Sequence, residues 1–248
     1  MLIAVSSLSA QHRDGKPEDS RYKESSRKKG HDAEFRVGMS FGGNVNFMKS
    51  ALTEHVSDGS LLYPAIGIYA DVPLVGNVYA SLGLRYNEKG GKLSYLQTTL
   101  TNDAYIRVGQ DITSTYSLRM LDIPILIKLF TNDFGHWTFN GAAGVTPAFR
   151  LGANVENAYT NFSYENNTNK VTGTLLEKNV ATKDVNFFDI SATLQVTFLY
   201  RLAARTALTM GLNGDIGLLD NLKNLGATTG TDVVVKTHQI GLSIGLIF

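Results

Sequence analysis

The sequence predicts an all-β fold, an eight-stranded antiparallel up-and-down transmembrane β-barrel. Apolar and polar residues alternate with a period of two over most of the chain, which is the pattern of β-strands. No apolar run reaches the length of about 18 residues that a membrane-spanning helix needs. Short and long connections also alternate along the chain, as they do in barrels with tight turns on one rim and loops on the other.

Composition narrows the classes of function. The chain has 248 residues, no cysteine and a formal net charge of +1. The absence of cysteine excludes disulfides, thiolate metal sites and a cysteine nucleophile. A nearly neutral chain lacks the basic excess that phosphate backbones require, so nucleic acid is not an expected partner.

Three regions are expected along the chain. Residues 1–10 are short and apolar and end in small side chains, like the end of a secretory signal segment. Residues 11–34 are polar and nearly free of aliphatic side chains, which predicts a flexible periplasmic tail. Residues 35–248 carry the alternating pattern and are expected to form the barrel.

Eight segments show the strand pattern. They are 35–47, 66–72, 77–87, 121–129, 136–150, 188–200, 205–218 and a last strand from near Asp232 to Phe248. The predicted short turns are 73–76, 131–135 and 201–204, and the predicted long connections are 48–62, 88–115, 152–185 and 219–231. Short turns of this kind are expected on the periplasmic rim.

The alternation does not say which face points outward, because a soluble lipocalin-like barrel also alternates, with its apolar side chains inside. The polar face of this chain consists mainly of Gly, Ser, Thr and Asn rather than Lys and Glu. Small polar side chains suit the narrow interior of an eight-stranded barrel. We therefore expect the apolar face to contact lipid.

The polar face also carries balanced charges. Its members are Arg36, Asp71, Arg85, Asp122, Lys128, Arg150, Asp189 and Asp215. Buried charges must be paired and hydrogen-bonded, so these residues predict a structural charge network in the lumen. From the direction of each strand, four of these residues are expected in the outer half of the barrel: Arg85, Arg150, Asp189 and Asp215. Three are expected nearer the periplasm: Arg36, Asp71 and Lys128.

Aromatic residues occupy expected membrane positions. Phe35, Trp137, Phe198 and Tyr200 fall at periplasmic strand ends on the apolar face, which predicts an interfacial girdle. The chain ends on Phe248, directly after an alternating strand. A terminal aromatic residue in this position is typical of outer-membrane barrels and is interpreted as an assembly signal.

Chemical motifs are scarce. The five histidines have no ligand-like spacing, so neither a metal nor a cofactor is expected. His238, with Ser and Thr on neighbouring strands, is the one constellation that would suit a lipid A acyl hydrolase, although a polar residue at the headgroup boundary explains it more simply. Asp122 and Asp189 could form a carboxylate pair, and structural ion pairing is the preferred interpretation.

A family resemblance rests on four stretches. They are Gly38 with Gly42, Gly43 and Asn44; Leu84, Arg85 and Tyr86 through Lys89 and Gly90; Leu121, Asp122, Ile123 and Pro124 to Lys128; and Asn140, Gly141 and Gly144. Over residues 35–248 the chain resembles the PorT-type outer-membrane β-barrel proteins of the Bacteroidetes. The resemblance implies the bacterial outer membrane, an eight-stranded barrel and, for some members, the type IX secretion machinery.

The functional expectation is a non-enzymatic barrel that acts as a structural or accessory component of an envelope complex. Its expected partners are outer-membrane lipid and lipopolysaccharide, the barrel-assembly machinery during insertion, and other envelope or secretion proteins. Both termini are expected in the periplasm. Two alternatives remain open: a narrow pore or ligand-binding barrel, and a lipid A-modifying enzyme.

Overall fold

The protein forms a single antiparallel sheet that closes on itself. The computed structural model describes residues 34–50, 55–100, 107–165, 168–178, 185–222 and 234–248, so the predicted signal segment and most of the tail lie outside the described residues. The strands are β1 Arg36–Ser50, β2 His55–Gly59, β3 Leu61–Val75, β4 Val78–Leu100, β5 Arg107–Asp122, β6 Ile125–Phe130, β7 Trp137–Glu165, β8 Thr168–Lys178, β9 Phe188–Arg201, β10 Ala207–Gly217 and β11 Val235–Ile247. Among these residues no helix is long and apolar enough to cross a membrane.

Eight strands complete the ring, as predicted. β1 pairs with β3 and β11, and the remaining neighbours follow in the order β3, β4, β5, β7, β9, β10 and β11. β6 continues the line of β5 after a break at Ile123 and Pro124, and it pairs with the same two neighbours, β4 and β7. The first and last strands, β1 and β11, meet at what we call the seam. Next to it, the Phe248 N–H donates to the Val37 carbonyl at 2.8 Å. A closed ring leaves no unpaired sheet edge in the hydrocarbon.

The apolar face points away from the barrel axis. Leu242 on β11 is 68% exposed, whereas Gln239 on the other face of the same strand is 2% exposed. β1 repeats the arrangement, with Phe41 and Val45 exposed and Asn44 buried. The soluble alternative with an apolar interior is therefore wrong for the ring, and the aliphatic rows face lipid.

The ring has two different ends. At the turn end, two tight turns use glycines with a positive φ, 55° at Gly76 and 66° at Gly135, which L-residues with a side chain rarely adopt. Glu34 and Phe248 lie at this end as well. The opposite end, which carries the long connections, is called the loop end.

The long connections are more ordered than predicted. β4 and β5 occupy most of the predicted connection 88–115, β7 and β8 occupy most of 152–185, and β2 lies within 48–62. β2 pairs with β4, and β8 pairs with β7. β4, β5 and β7 therefore continue beyond the ring, where β2 and β8 join them in one sheet that we call the platform.

The prediction of loops was wrong in the platform because the apolar residues change there from the outward face of each strand to the inward face. On β4 and β5, the outward pair Tyr86–Leu121 is followed by the outward pair Glu88–Arg119. The side chain of Met120, between Leu121 and Arg119, points inward and is buried. On these two strands the outward residues below this level are apolar, and those just above it, from Glu88 to Ser94 and from Arg119 to Thr113, are polar or glycine. The level marks the loop-end boundary of the apolar belt, where lipid gives way to water.

Candidate functional site

The centre of the lumen holds a chain of five charged groups. Arg85 Nη2 lies 2.9 Å from Asp122 Oδ2 and 2.6 Å from Asp215 Oδ2. Lys89 Nζ lies 3.5 Å from Asp122 Oδ1 and 3.2 Å from Asp189 Oδ2. The three carboxylates and Lys89 are almost completely buried, and the Arg85 side chain is 16% exposed. Each charge thus meets at least one opposite charge, as burial requires.

Amide side chains join this chain to further strands. Asn87 Nδ2 donates to Asp122 Oδ2 at 3.1 Å and to Gln239 Oε1 at 2.9 Å, and Asn44 Nδ2 donates to Asn87 Oδ1 at 2.9 Å. Gln239 Nε2 also donates to Asp215. The charged groups and these amides are called the lumen network. Its members come from β1, β4, β5, β9, β10 and β11, so it links six of the eight strands of the ring across the interior.

Four of the eight predicted lumen charges belong to the network. They are Arg85, Asp122, Asp189 and Asp215. Arg150 is half-buried, and its backbone N–H donates to the Phe187 carbonyl at 2.8 Å.

Sequence reasoning missed Lys89, which was assigned to a loop. The inward positions Ser81, Gly83, Arg85 and Asn87 continue in steps of two to Lys89, and this register could have identified it.

The other three predicted charges meet nearer the turn end. Lys128 Nζ donates to Asp71 Oδ1 at 2.9 Å and lies 4.1 Å from the centre of the Tyr69 ring. The Arg36 guanidinium lies 5.0 Å from the centre of the Tyr79 ring and 5.1 Å from that of Phe130. These are cation–π distances. Arg36, Asp71 and Lys128, which were predicted to lie nearer the periplasm, thus lie close to one another at the turn end.

Apolar side chains fill the lumen at the turn end. The turn-end cluster consists of Tyr79, Phe130, Leu199 and Ile247, all buried and packed together. The Tyr79 and Phe130 rings meet edge to face with centroids 4.9 Å apart. Beyond the cluster, a wider space of about 950 Å³ opens between the turns.

A second apolar cluster fills the lumen at the loop end. The loop-end cluster consists of Met48, Leu93, Tyr116, Leu118, Met120, Ala148, Val155, Val185, Leu222 and Val235. Gly91 lets two strands meet there, since a Cβ on it would lie 2.6 Å from the Met48 backbone nitrogen. Val185 and Leu222 form an isolated β-bridge across the opening.

Small cavities lie around the lumen network. Two cavities there have volumes of about 80 and 60 Å³, and both are lined in part by Arg85. Each is large enough for a few water molecules. Among the described residues, apolar clusters occupy both ends of the lumen, so the lumen network is a buried structural element between them.

The predicted girdle residues lie at the turn end of the outward face. Trp137 and Tyr200 contact each other with ring centroids 4.8 Å apart, and Phe198 contacts Phe139 at 5.1 Å. Phe35 and Phe248 are exposed. These positions are suited to a membrane interface, and the assembly role of Phe248 stays a prediction.

His238 does not form a catalytic constellation. Its ring faces outward against Phe47, with centroids 5.5 Å apart. Within the part of the chain that the structure describes, no hydroxyl or carboxylate forms a hydrogen bond with it. Asp122 and Asp189 share Lys89 rather than forming an isolated carboxylate pair. Among the same residues, no group of three His, Asp or Glu side chains could hold a metal ion.

The closed ring with a lipid-facing exterior defines a transmembrane β-barrel. The family described as "Outer membrane protein beta-barrel domain" matches residues 10–223. The chain belongs to this family of outer-membrane proteins. A comparison with curated proteins finds no match.

Solved outer-membrane barrels resemble the chain at low identity. Neisserial surface protein A (NspA) is 8% identical over 85% of this chain and 95% of its own, with a TM-score of 0.39. OprG from Pseudomonas aeruginosa is 10% identical over 88% and 96%, with a TM-score of 0.39. Ail, the attachment invasion locus protein of Yersinia pestis, is 9% identical over 87% and 99%, with a TM-score of 0.29.

Proposed function

We propose that this outer-membrane barrel is a non-enzymatic structural or accessory component of an envelope complex and acts through contacts made by its platform. The observation that carries the proposal is a lumen packed at both ends beneath a sheet that continues past the apolar belt. From Glu88 to Leu100 β4 adds 13 residues, or about 40 Å at 3.3 Å per residue. Such a sheet offers surface for a partner, while apolar clusters of described residues occupy both ends of the interior.

In this proposal the turn end faces the periplasm and the platform lies outside the cell. Outer-membrane barrels have short periplasmic turns and longer outer connections, and the turns at Gly76 and Gly135 are short. Both ends of the barrel chain then lie in the periplasm.

The edge strand β8 is the part of the platform best suited to a partner. It pairs with β7 on one side, and no described strand pairs with its other side. Leu175 and Leu176 on this strand are both exposed. An unpaired edge with exposed apolar residues favours association with another chain.

A cross-linking experiment in native membranes tests the contact. We expect an envelope protein to be captured by the wild type and lost from a Leu175→Lys, Leu176→Lys variant. Leu202→Lys is a matched control, because Leu202 is as exposed as Leu175, at 56%, and lies at the turn end. Equal capture by all three proteins would contradict a contact at the platform.

The type IX secretion machinery is the first complex to test, on the basis of the PorT-type resemblance alone. We expect the Leu175→Lys, Leu176→Lys variant to reduce the export of type IX cargo when it replaces the wild-type protein. Normal export from cells that lack the protein altogether would exclude the type IX machinery as the partner complex. It would not contradict the more general proposal of an envelope complex.

The two alternative functions have less support. A pore requires a continuous lumen, so planar-bilayer recordings of folded protein are expected to show no conductance. A lipid A-modifying enzyme requires a nucleophile and a base in contact, so lipid A from cells with His238→Ala is expected to match that of the wild type. Conductance or an altered lipid profile would favour the corresponding alternative.

A further inference from the structure

Two lysines face each other on the lipid side of the barrel seam. Lys49 on β1 is paired with Lys236 on β11, directly beyond the pair formed by Phe47 and His238. Both lysines occupy outward positions, because Met48 between Phe47 and Lys49 is completely buried. The two ammonium groups therefore project from the same surface on adjacent strands.

This arrangement is unfavourable for the protein alone. Like charges directly opposite each other on neighbouring strands destabilise a sheet. Among the residues that the structure describes, neither lysine forms an ion pair with a carboxylate. The corresponding outward pair on β4 and β5 is Glu88–Arg119, with opposite charges. Within the described part of the chain, the lysine pair thus leaves a positive charge at the seam without a carboxylate partner.

The pair lies at the edge of the apolar belt. Below it on the same face come Phe47 and His238, and below these the exposed aliphatic pair of Val45 and Ile240. Acyl chains cover the aliphatic rows of a membrane barrel, and lipid headgroups lie at the height where those rows end. The lysines are consequently at headgroup height, with an apolar surface directly beneath them.

We propose that Lys49 and Lys236 form a binding site for a phosphate group of a phosphorylated lipid headgroup. The phosphate supplies the negative charge that the seam lacks, and the acyl chains of the same lipid lie along Val45 and Ile240. A lysine ammonium is a flexible point charge with three donors, which suits a phosphate at a mobile interface. The proposal requires only the barrel and its belt, and it holds whichever end of the barrel faces the cell exterior.

Lipid binding to the full chain in a neutral detergent tests the site. Native mass spectrometry would compare diphosphorylated lipid A with the same lipid after removal of its phosphates. The double variant Lys49→Gln, Lys236→Gln is expected to bind the phosphorylated lipid roughly 25-fold more weakly, since each lysine near an anionic surface contributes a factor of about five. Binding of the dephosphorylated lipid is expected to be unchanged.

Two control variants distinguish loss of this site from a general loss of positive charge and from misfolding. Lys92→Gln removes a lysine of the platform that is paired in register with Thr115, and it is expected to bind phosphorylated lipid like the wild type. Lys236→Glu is expected to weaken lipid binding and also to raise the midpoint of thermal unfolding, because it places opposite charges across the seam.

Three outcomes would overturn the proposal. They are equal binding of the phosphorylated lipid by the wild type and the double variant, an equal loss in Lys92→Gln, and complete competition by millimolar inorganic phosphate. The last result would identify a free anion rather than a lipid headgroup as the ligand.

Discussion

The apolar belt and the platform use the same strands with opposite faces. In the belt, β4 turns Leu82 and Leu84 outward and buries Ser81. In the platform, β5 buries Leu118 and Met120 and exposes Arg119. The strand period is two in both regions. The comparison teaches that the surrounding solvent, hydrocarbon or water, decides which face of a strand is apolar.

The lumen network lies where these two regions meet. On β5, Asp122 belongs to the network and Met120, the next inward residue, belongs to the loop-end cluster. On β4 the same change occurs between Lys89 and Leu93. The interior therefore passes from ion pairs to apolar packing at about the level where the exterior passes from apolar to polar.

The largest effect is expected from removal of the central cation. Arg85→Ala would leave Asp122 and Asp215 buried without their shared partner, and loss of one member of a buried ion pair costs about 3–5 kcal/mol. Urea-induced unfolding of the barrel in lipid vesicles, followed by the fluorescence of Trp137, measures the free energy. Arg205→Ala is the control, because Arg205 is 79% exposed at the turn end, and its unfolding midpoint is expected to stay the same. Equal midpoints for both variants would show that the network does not stabilise the ring.

Packing in the loop-end cluster is expected to contribute nearly as much to the free energy of unfolding as the central cation does. Leu118→Ala would leave a cavity in the cluster, and such substitutions cost about 2–5 kcal/mol. Leu242→Ala makes the same change on the belt, where lipid fills the space, and less than half of that loss is expected. The same urea titration compares the two. A larger loss at Leu242 would mean that the loop end is not a packed core.

Charged substitutions on outward positions test the assignment of the two solvents. Leu242→Arg, near the middle of β11, is expected to cost about 2–4 kcal/mol, as arginine does at the midplane of a membrane barrel. Thr115→Arg, on the outward face of β5 in the platform, is expected to leave the free energy of unfolding within about 0.5 kcal/mol of the wild-type value. Vesicle unfolding measures both, and similar costs at the two positions would place the platform in the membrane.

A smaller effect is expected from the close approach at Gly91. Gly91→Ala would place a Cβ 2.6 Å from the Met48 backbone nitrogen, and overpacking of this kind costs about 1–3 kcal/mol. Gly141→Ala is the control, because no atom lies within 4 Å of its Cβ position. A neutral Gly91→Ala would indicate that β1 and β4 are farther apart at the loop end.

Alternation was enough to predict the ring and not enough to predict the platform. The eight belt segments agree with the observed strands, because lipid outside and a polar lumen inside give one constant pattern. Residues 88–115 and 152–185 looked irregular because their apolar positions change face at Glu88 and after Phe149. When the apolar residues of a strand change to its other face, the alternation with a period of two continues. In the sequence, such a change looks like the end of the strand.

The candidate site was predictable as a set of charges and not as a set of pairs. Arg85, Asp189 and Asp215 were expected in one half of the lumen, and the structure brings them into one chain of contacts. Lys89 was missed because its strand was thought to end before it. Arg85 and Asp215 are 130 positions apart, and no local pattern specifies which of several charges meet across a closed lumen.

The sequence by itself determined the strand period and the lipid-facing rows, because these depend on the order of neighbouring residues. Only the tertiary structure decided how the lumen is filled, which lysines meet at the seam and how far the sheet extends beyond the belt. These features depend on the register between strands, which brings residues that are remote in sequence within a few ångströms of each other. Closure of the ring sets that register, since an open edge in hydrocarbon would leave backbone groups without hydrogen-bond partners.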